Sequence, residues 1–219
     1  MRSYIDHLVV GAASLEAGAR YIEEALGVAV TPGGEHSRMG THNRLLALGD
    51  SIYLEVIAVN PAAPPPGRPR WFGLDDPGVQ SALVQSPRLL TWVARTESLD
   101  AERLPAYLGT SAIETMARGE LEWSITLPPD GALCAGGLLP LLLQWRCATH
   151  PVAALPGQGC RLLRLELHHL DPVWLKRALE PISWPHSTTI CQPPAGGKPC
   201  LAAVIETPRG LRTLRSLVS

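Results

Sequence analysis

YIDHLVV, Tyr4 to Val10, reads as a strand, and its place in a recurring order of elements decides the fold. Ser14 follows it as a helix N-cap, with Glu16 well placed in the first turn. Leu15, Ile22 and Leu26 share one helical face with Gly18 between them, and Gly27 stands where the helix stops. Three strands come next. One runs from about Val28 to Thr31 or further into PGGEHSRMGTHNRL (Pro32–Leu45), the second covers Asn43 to Leu48 and the third Ser51 to Val59. Gly49-Asp50 is the hairpin turn between the last two.

The order strand, helix, three strands then returns. RLLTWVART (Arg88–Thr96) is a strand, and Ser98 caps an expected helix bearing Asp100, Glu102, Leu99, Leu104 and Leu108. Gly109 ends that helix, and strands follow near Glu114–Ala117, at Leu121–Leu127 and at Leu138–Arg146. A weaker third copy starts with a strand in RLLRLELHH. Asp171-Pro172 opens its helix, and Leu175, Leu179 and Ile182 form the apolar face. Strands near Thr188–Cys191, Leu201–Glu206 and Leu211–Leu214 close it. Each copy spans about 55 to 60 residues. The expected organisation is a first module over residues 1–60, a Pro-rich connecting arm over 61–87, a second module over 88–148 and a partial third over 160–217 that packs on the others. Proline cannot donate to a sheet ladder, so NPAAPPPGRPRWFGLDDPG (Asn60–Gly78) is read as an arm. It is either a stiff linker or a lid, with Trp71, Phe72, Arg68 and Arg70 over a ligand.

A chain of 219 residues, 46% hydrophobic and 18% charged, has the make-up of a globular protein with a real core. A net charge of -1 provides no electrostatic footprint for nucleic acid or an anionic membrane. Asp6 and His7 interrupt the first apolar run, so no secretory signal is read there, and LLPLLLQWR is too short to span a bilayer. That Leu-rich run is instead an expected interior strand, buried on both faces. Five cysteines without a C-x-x-C pair suggest reduced thiols and a cytoplasmic protein, although Cys147 with Cys160, or Cys191 with Cys200, could pair in space.

I-D-H-L-V-V (Ile5–Val10), Leu26-Gly27, Y-L-E-V-I (Tyr53–Ile57) and the intervening Gly-His stretch, taken in order, resemble the vicinal oxygen chelate superfamily, its glyoxalase-like branch in particular. That superfamily includes glyoxalase I, extradiol dioxygenases, and fosfomycin and bleomycin resistance proteins. The resemblance implies an α+β fold: modules paired into curled mixed sheets around a cleft, with helices outside. It also implies one divalent metal (Zn, Fe, Mn or Ni) held by first-strand and last-strand side chains. Those positions are His7 and Glu55 in the first module, whereas the second module is read with Trp92 and Gln144 there. Trp cannot ligate a metal, so the four-ligand set is incomplete. His36 or His42 would supply the missing imidazole. His7, His36 and Glu55 would then form a two-histidine, one-carboxylate set with open positions for substrate oxygens.

The residues also allow a reading without metal. Thr41, His42 and Asn43 bind a ligand oxygen or brace a bend, and Gly33, Gly34 and Gly40 permit the close turns. His7 would then be a hydrogen-bonded strand histidine, while Glu55, in an apolar strand, must be paired or coordinated if buried. His150, His168, His169 and His186 are read as surface or structural. Two function classes follow. One is a metal-assisted isomerase, lyase or dioxygenase acting on a small oxygenated compound, with Glu55 as ligand or base. The other is a metal-free binding or sequestration protein of the bleomycin-resistance type, with His42, Asn43, Trp71, Trp92 and Gln144 lining its site. The incomplete second module counts against a glyoxalase I reaction. The expected partner is a small-molecule ligand, with no nucleic acid and no membrane. The third module either covers a sheet edge or makes a homodimer contact.

Overall fold

The computed structural model describes residues 1–183 and 187–216, so His186 lies outside the described residues. YIDHLVV falls in β1 (Ser3–Gly11), followed by α1 (Leu15–Leu26). The Ser14 hydroxyl accepts from the Ala17 amide at 3.2 Å, and Gly27 ends the helix in the left-handed region at φ 79°. β2 (Thr31–His36), β3 (Thr41–Ala47) and β4 (Tyr53–Val59) complete the first set. The arm contains α2 (Pro77–Gln85), which the sequence reading missed. Asp76 caps it, accepting from Val79 N at 2.8 Å, and Pro77 opens it, so its start signal is the same Asp-Pro that announced the helix after Asp171.

The second set is β5 (Arg88–Thr96), β6 (Ala112–Arg118), β7 (Leu121–Leu127) and β8 (Leu141–Trp145). The helix expected after Ser98 is replaced by two single 3-10 turns, Ala101–Arg103 and Ala106–Leu108. Pro105 is the cause: it lacks an N–H and drives Leu104 into extended backbone, ψ 143°, where a helix would have to continue. Leu138 to Pro140 precede β8 rather than forming part of it.

These eight strands form one sheet in the order β2-β3-β4-β1-β5-β8-β7-β6, curled into a half barrel. β1 runs parallel to β4, β5 runs parallel to β8, and β1 and β5 join the two sets antiparallel. The repeat is therefore one of topology as well as pattern. α1 covers the outer face through Leu15, Gly18, Ile22 and Leu26. A Cβ on Gly18 would stand 2.3 Å from Val56 Cγ1, so this close approach of helix to sheet requires glycine.

The C-terminal sheet is built from β9 (Arg161–His168), β10 (Thr188–Cys191), β11 (Cys200–Thr207) and β12 (Gly210–Arg215), with α3 (Pro172–Leu179) after β9. Its order, β10-β9-β11-β12, differs from that of the other sets. The strand after the helix lies parallel beside β9, whereas β1 and β5 each take the fourth strand of their set as parallel neighbour. β11 and β12 pack against β5, and β12 against α1. This sheet thus covers the face of a central strand. Buried side chains of both sheets form one continuous core. All five cysteines are free thiols, and no described helix is long and apolar enough to cross a membrane.

Candidate active site

Strand parity sends Glu55, Asn43 and His36 to the concave side of the sheet, because β3 pairs Leu45 with Glu55 and the β2–β3 hairpin pairs His36 with Thr41. His7 joins them from β1 in register with Tyr53, and Asp6 joins through an irregularity. The β1–β5 register slips between Ile5 and His7, and this bulge lets consecutive Asp6 and His7 side chains meet. All five residues are buried. Asp6 Oδ1 lies 2.7 Å from His7 Nδ1, while Asp6 Oδ2 accepts from Trp145 Nε1 at 2.8 Å and from His150 Nε2 at 3.0 Å. Burial alone would raise the Asp6 carboxyl. Hydrogen bonds from His150 and His7 outweigh it and hold the group well below the usual carboxylate range. An ionised Asp6 accepts from His7 Nδ1 and so orients the ring with Nε2 toward the cleft. There it stands 3.6 Å from Glu55 Oε2.

Asn43 ties the rest together. Its Nδ2 donates to Glu55 Oε1 at 2.6 Å, and its Oδ1 accepts from Gly34 N at 2.8 Å and from Arg118 Nη1 at 3.1 Å. Arg118 Nη1 also approaches His36 Nε2 at 3.3 Å, and His36 Nδ1 lies 3.0 Å from Thr41 Oγ1. Burial pushes the His36 pKa down to about 3, and the Arg118 guanidinium adds to the fall. His36 is a neutral imidazole. Gly33 and Gly34 make the arrangement possible: a Cβ on Gly33 would stand 2.1 Å from Asn43 Oδ1, and one on Gly34 2.7 Å from Arg118 Cδ.

The remaining wall comes from Trp123, Ile125, Leu143 and Trp145 of β7 and β8, with Tyr53 stacked on His7 at 4.6 Å between centroids. Trp71 and Phe72 form the roof, and the Trp71 ring meets His36 edge-on at 4.9 Å. Phe72 sits in the left-handed region at φ 58°, an unfavourable backbone for a large side chain. The Trp71 indole N–H is buried without an acceptor. The hollow under this roof is small: its free interior of about 30 Å³ is room for about two waters.

Of the residues singled out in the sequence, His7, His36, Asn43, Glu55 and Trp71 meet here. Three do not. His42 is paired across from Glu35 and Ala58 and faces away from the cleft, because the turn after His36 reverses the chain and voids the even spacing between the two histidines. Trp92 stands opposite Leu8 on the other face of the sheet, fully buried, with Nε1 donating to Leu138 O at 3.0 Å. Gln144 also faces away, donating to Glu97 O at 2.8 Å and accepting from Leu99 N at 3.2 Å. The strand pairing shows why: Leu143 is set against Arg95 as Glu55 is set against Val9, so the glutamate position of the second set is a leucine. Asp6, Arg118, Trp123 and Trp145 were not foreseen. A carboxylate inside IDHLVV was a signal for Asp6, and nothing in MARG marked Arg118.

A family model described as a glyoxalase-like domain matches residues 5–182. No curated protein matches the chain. Among solved structures, a hypothetical protein from Staphylococcus aureus is similar with a TM-score of 0.55 at 13% identity, covering 98% of this chain and 85% of that one. A Streptomyces coelicolor methylmalonyl-CoA epimerase is similar at 16% identity and TM-score 0.44, covering 67% of this chain and 100% of that one. For the Mycobacterium tuberculosis methylmalonyl-CoA epimerase the values are 20% and 0.42, with 69% and 92% covered.

Proposed function

We propose, for a chain that belongs to the glyoxalase-like domain family of the vicinal oxygen chelate superfamily, that the cleft binds a small oxygenated organic compound and moves a proton on it, as an isomerase or lyase does. The observation that carries this reading is the buried pair Glu55 and His7, 3.6 Å apart across one hollow, with His7 oriented from behind by Asp6. The Glu55 carboxylate takes the proton from a carbon next to a carbonyl, and the C–H electron pair moves onto the carbonyl oxygen. His7 Nε2, which faces Glu55, accepts that proton and releases it to the product carbon. The apolar wall and the Trp71–Phe72 roof exclude water while the anion exists.

The superfamily often binds a divalent metal. The donors present in this cleft do not fit one as they stand. Among the described residues, no group of three or more His, Cys, Asp or Glu side chains is arranged to hold a metal ion. His36 Nε2 faces the Arg118 guanidinium and the Asn43 amide, and Glu55 Oε1 takes Asn43 Nδ2. His7 Nε2 and His36 Nε2 stand 3.6 and 3.9 Å from Glu55 oxygens, but an ion among them would also face the Arg118 guanidinium beside His36. The proposed reaction therefore uses side chains alone.

The test is exchange of carbon-bound hydrogen for deuterium across a panel of small oxo acids and ketones, followed by NMR in chelator-treated buffer. Exchange is expected for at least one class of these compounds, with loss in Glu55→Gln. Exchange that persists in Glu55→Gln, or appears only with added metal, defeats the reading.

A further inference from the structure

The second half of the sheet brings one charged side chain to the cleft, and it is a cation. Arg118 reaches in from the edge strand β6, across the glycines of β2, and its Nη1 lies within 3.3 Å of His36 and 3.1 Å of Asn43. Neither partner is a carboxylate: one is an imidazole and the other an amide. The guanidinium thus has no carboxylate in direct contact among the described residues, although it holds five N–H donors in a fixed fork. The roof adds a second unmatched donor, the Trp71 indole N–H, buried with no acceptor. A cation and an orphan donor around one hollow call for an oxygen that carries negative charge.

We infer that Arg118 takes the place of the superfamily's divalent cation, and that the site accepts a small carboxylate whose oxygens bind Arg118 and the Trp71 N–H. The inference rests on the cleft being a ligand site, as proposed above, but not on the proton transfer. Planar guanidinium and carboxylate match geometrically, and such a charge-assisted bond outweighs a neutral one. The same contact would hold a developing enolate oxygen in line with Glu55 and His7, the role a metal has elsewhere.

Two probes test this on the full chain. Pyruvate and acetate are titrated while tryptophan fluorescence is read, since Trp71, Trp123 and Trp145 all line the hollow. Cobalt(II) alone is then added and its visible absorption followed. The expected result is saturable quenching by at least one carboxylate, with the same midpoint before and after chelator dialysis and no equivalent of bound cobalt. Arg118→Met should weaken the carboxylate roughly tenfold or more. Arg118→Lys, which keeps charge but not the fork, should recover part of the loss and supplies the comparison if the methionine variant does not fold. One equivalent of cobalt whose bands vanish in His36→Ala and Glu55→Gln overturns the inference. So does a carboxylate midpoint indifferent to both Arg118 variants, or no carboxylate response in the unmodified protein. Binding that depends on Arg118 without any proton exchange would defeat the reaction proposed above and leave this inference standing.

Discussion

The two halves of the eight-stranded sheet share a strand order and differ in what they aim inward. β1 to β4 bring His7, His36, Asn43, Tyr53 and Glu55 to the concave side. β5 to β8 bring Trp123, Ile125, Leu143 and Trp145, with Arg118 as their charged member. At the centre of the sheet the outward-facing positions do not diverge in this way: Leu8, Leu54 and Val56 in one half and Leu90, Trp92 and Leu142 in the other are all buried and apolar. One face of each half is committed to packing against helices and the C-terminal sheet, so it keeps its character. The concave face carries no such load, and one half has become a polar floor while the other has become a largely apolar wall.

The largest effect that can break this division is on chemistry. Glu55→Gln keeps the side-chain shape and can still accept from Asn43, but it cannot take a proton. Proton exchange should fall by about 10³-fold while the thermal midpoint moves little. On the opposite half, Trp123→Phe should change the same rate only a few-fold. An equal loss from both would mean that the wall also takes part in the reaction.

Next in size is the acid sensitivity contributed by His36. Its folded pKa of about 3 lies below the ordinary 6.5, so the unfolded chain binds the proton more readily between those values. The stabilisation that His36 brings is therefore complete above pH 6.5 and declines as pH falls toward 3. Urea midpoints across this window should drop in the unmodified protein and flatten in His36→Gln. Asp6, whose carboxyl is also held down by its partners, adds a loss below 3.8 in both proteins. Identical slopes for the two would show that His36 is not the buried neutral group described.

Much of the architecture was legible because its signals are local. Ser14 and Gly27 bounded α1, Asp171-Pro172 opened α3, and alternation marked the strands. The failures are local conflicts. Pro105 broke a helix that leucine spacing suggested, and Asp76-Pro77 started one inside an expected arm. At the site, His7 and Glu55 could be chosen from the resemblance, with Glu55 also marked as a carboxylate in an apolar strand, and His36 as one of two histidines able to supply the missing imidazole. Trp92 and Gln144 were chosen by sliding one strand along another, and one residue of slip exchanges the faces. Asp6 needed a bulge to reach His7, and Arg118 is brought in from the far edge strand. Bulges and cross-sheet reach leave no trace in periodicity, so those two residues emerge only from coordinates.

The wall is tested by size rather than by charge. Leu143→Ala removes a nearly fully buried side chain from β8 and should cost about 2 to 4 kcal/mol in chemical denaturation. Gln144→Ala, one residue on and facing the other way, gives up hydrogen bonds at a partly exposed site and should cost about 1 kcal/mol. The reverse order would place the packing on the wrong face of the strand.

The smallest and sharpest comparison lies within the glycine pair of edge strand β2, which meets the opposite edge strand β6. Neither Gly33 nor Gly34 has a positive φ, so each is required for space alone. A methyl on Gly33 would meet Asn43 Oδ1 at 2.1 Å and the Asn43 carbonyl oxygen at 2.7 Å, and a backbone atom in a paired strand has little freedom to retreat. Gly33→Ala should therefore destabilise by about 1 to 3 kcal/mol and disturb the Asn43–Glu55 bond. A methyl on Gly34 would meet Arg118 Cδ at 2.7 Å, part of a flexible side chain that can swing aside. Gly34→Ala should cost under about 1 kcal/mol in stability, because the strain relaxes in Arg118. Carboxylate quenching should nevertheless weaken as in the Arg118 variants. A Gly34→Ala protein that loses more stability than Gly33→Ala, or binds carboxylate unchanged, would mean that Arg118 does not cross β2 on its way to His36.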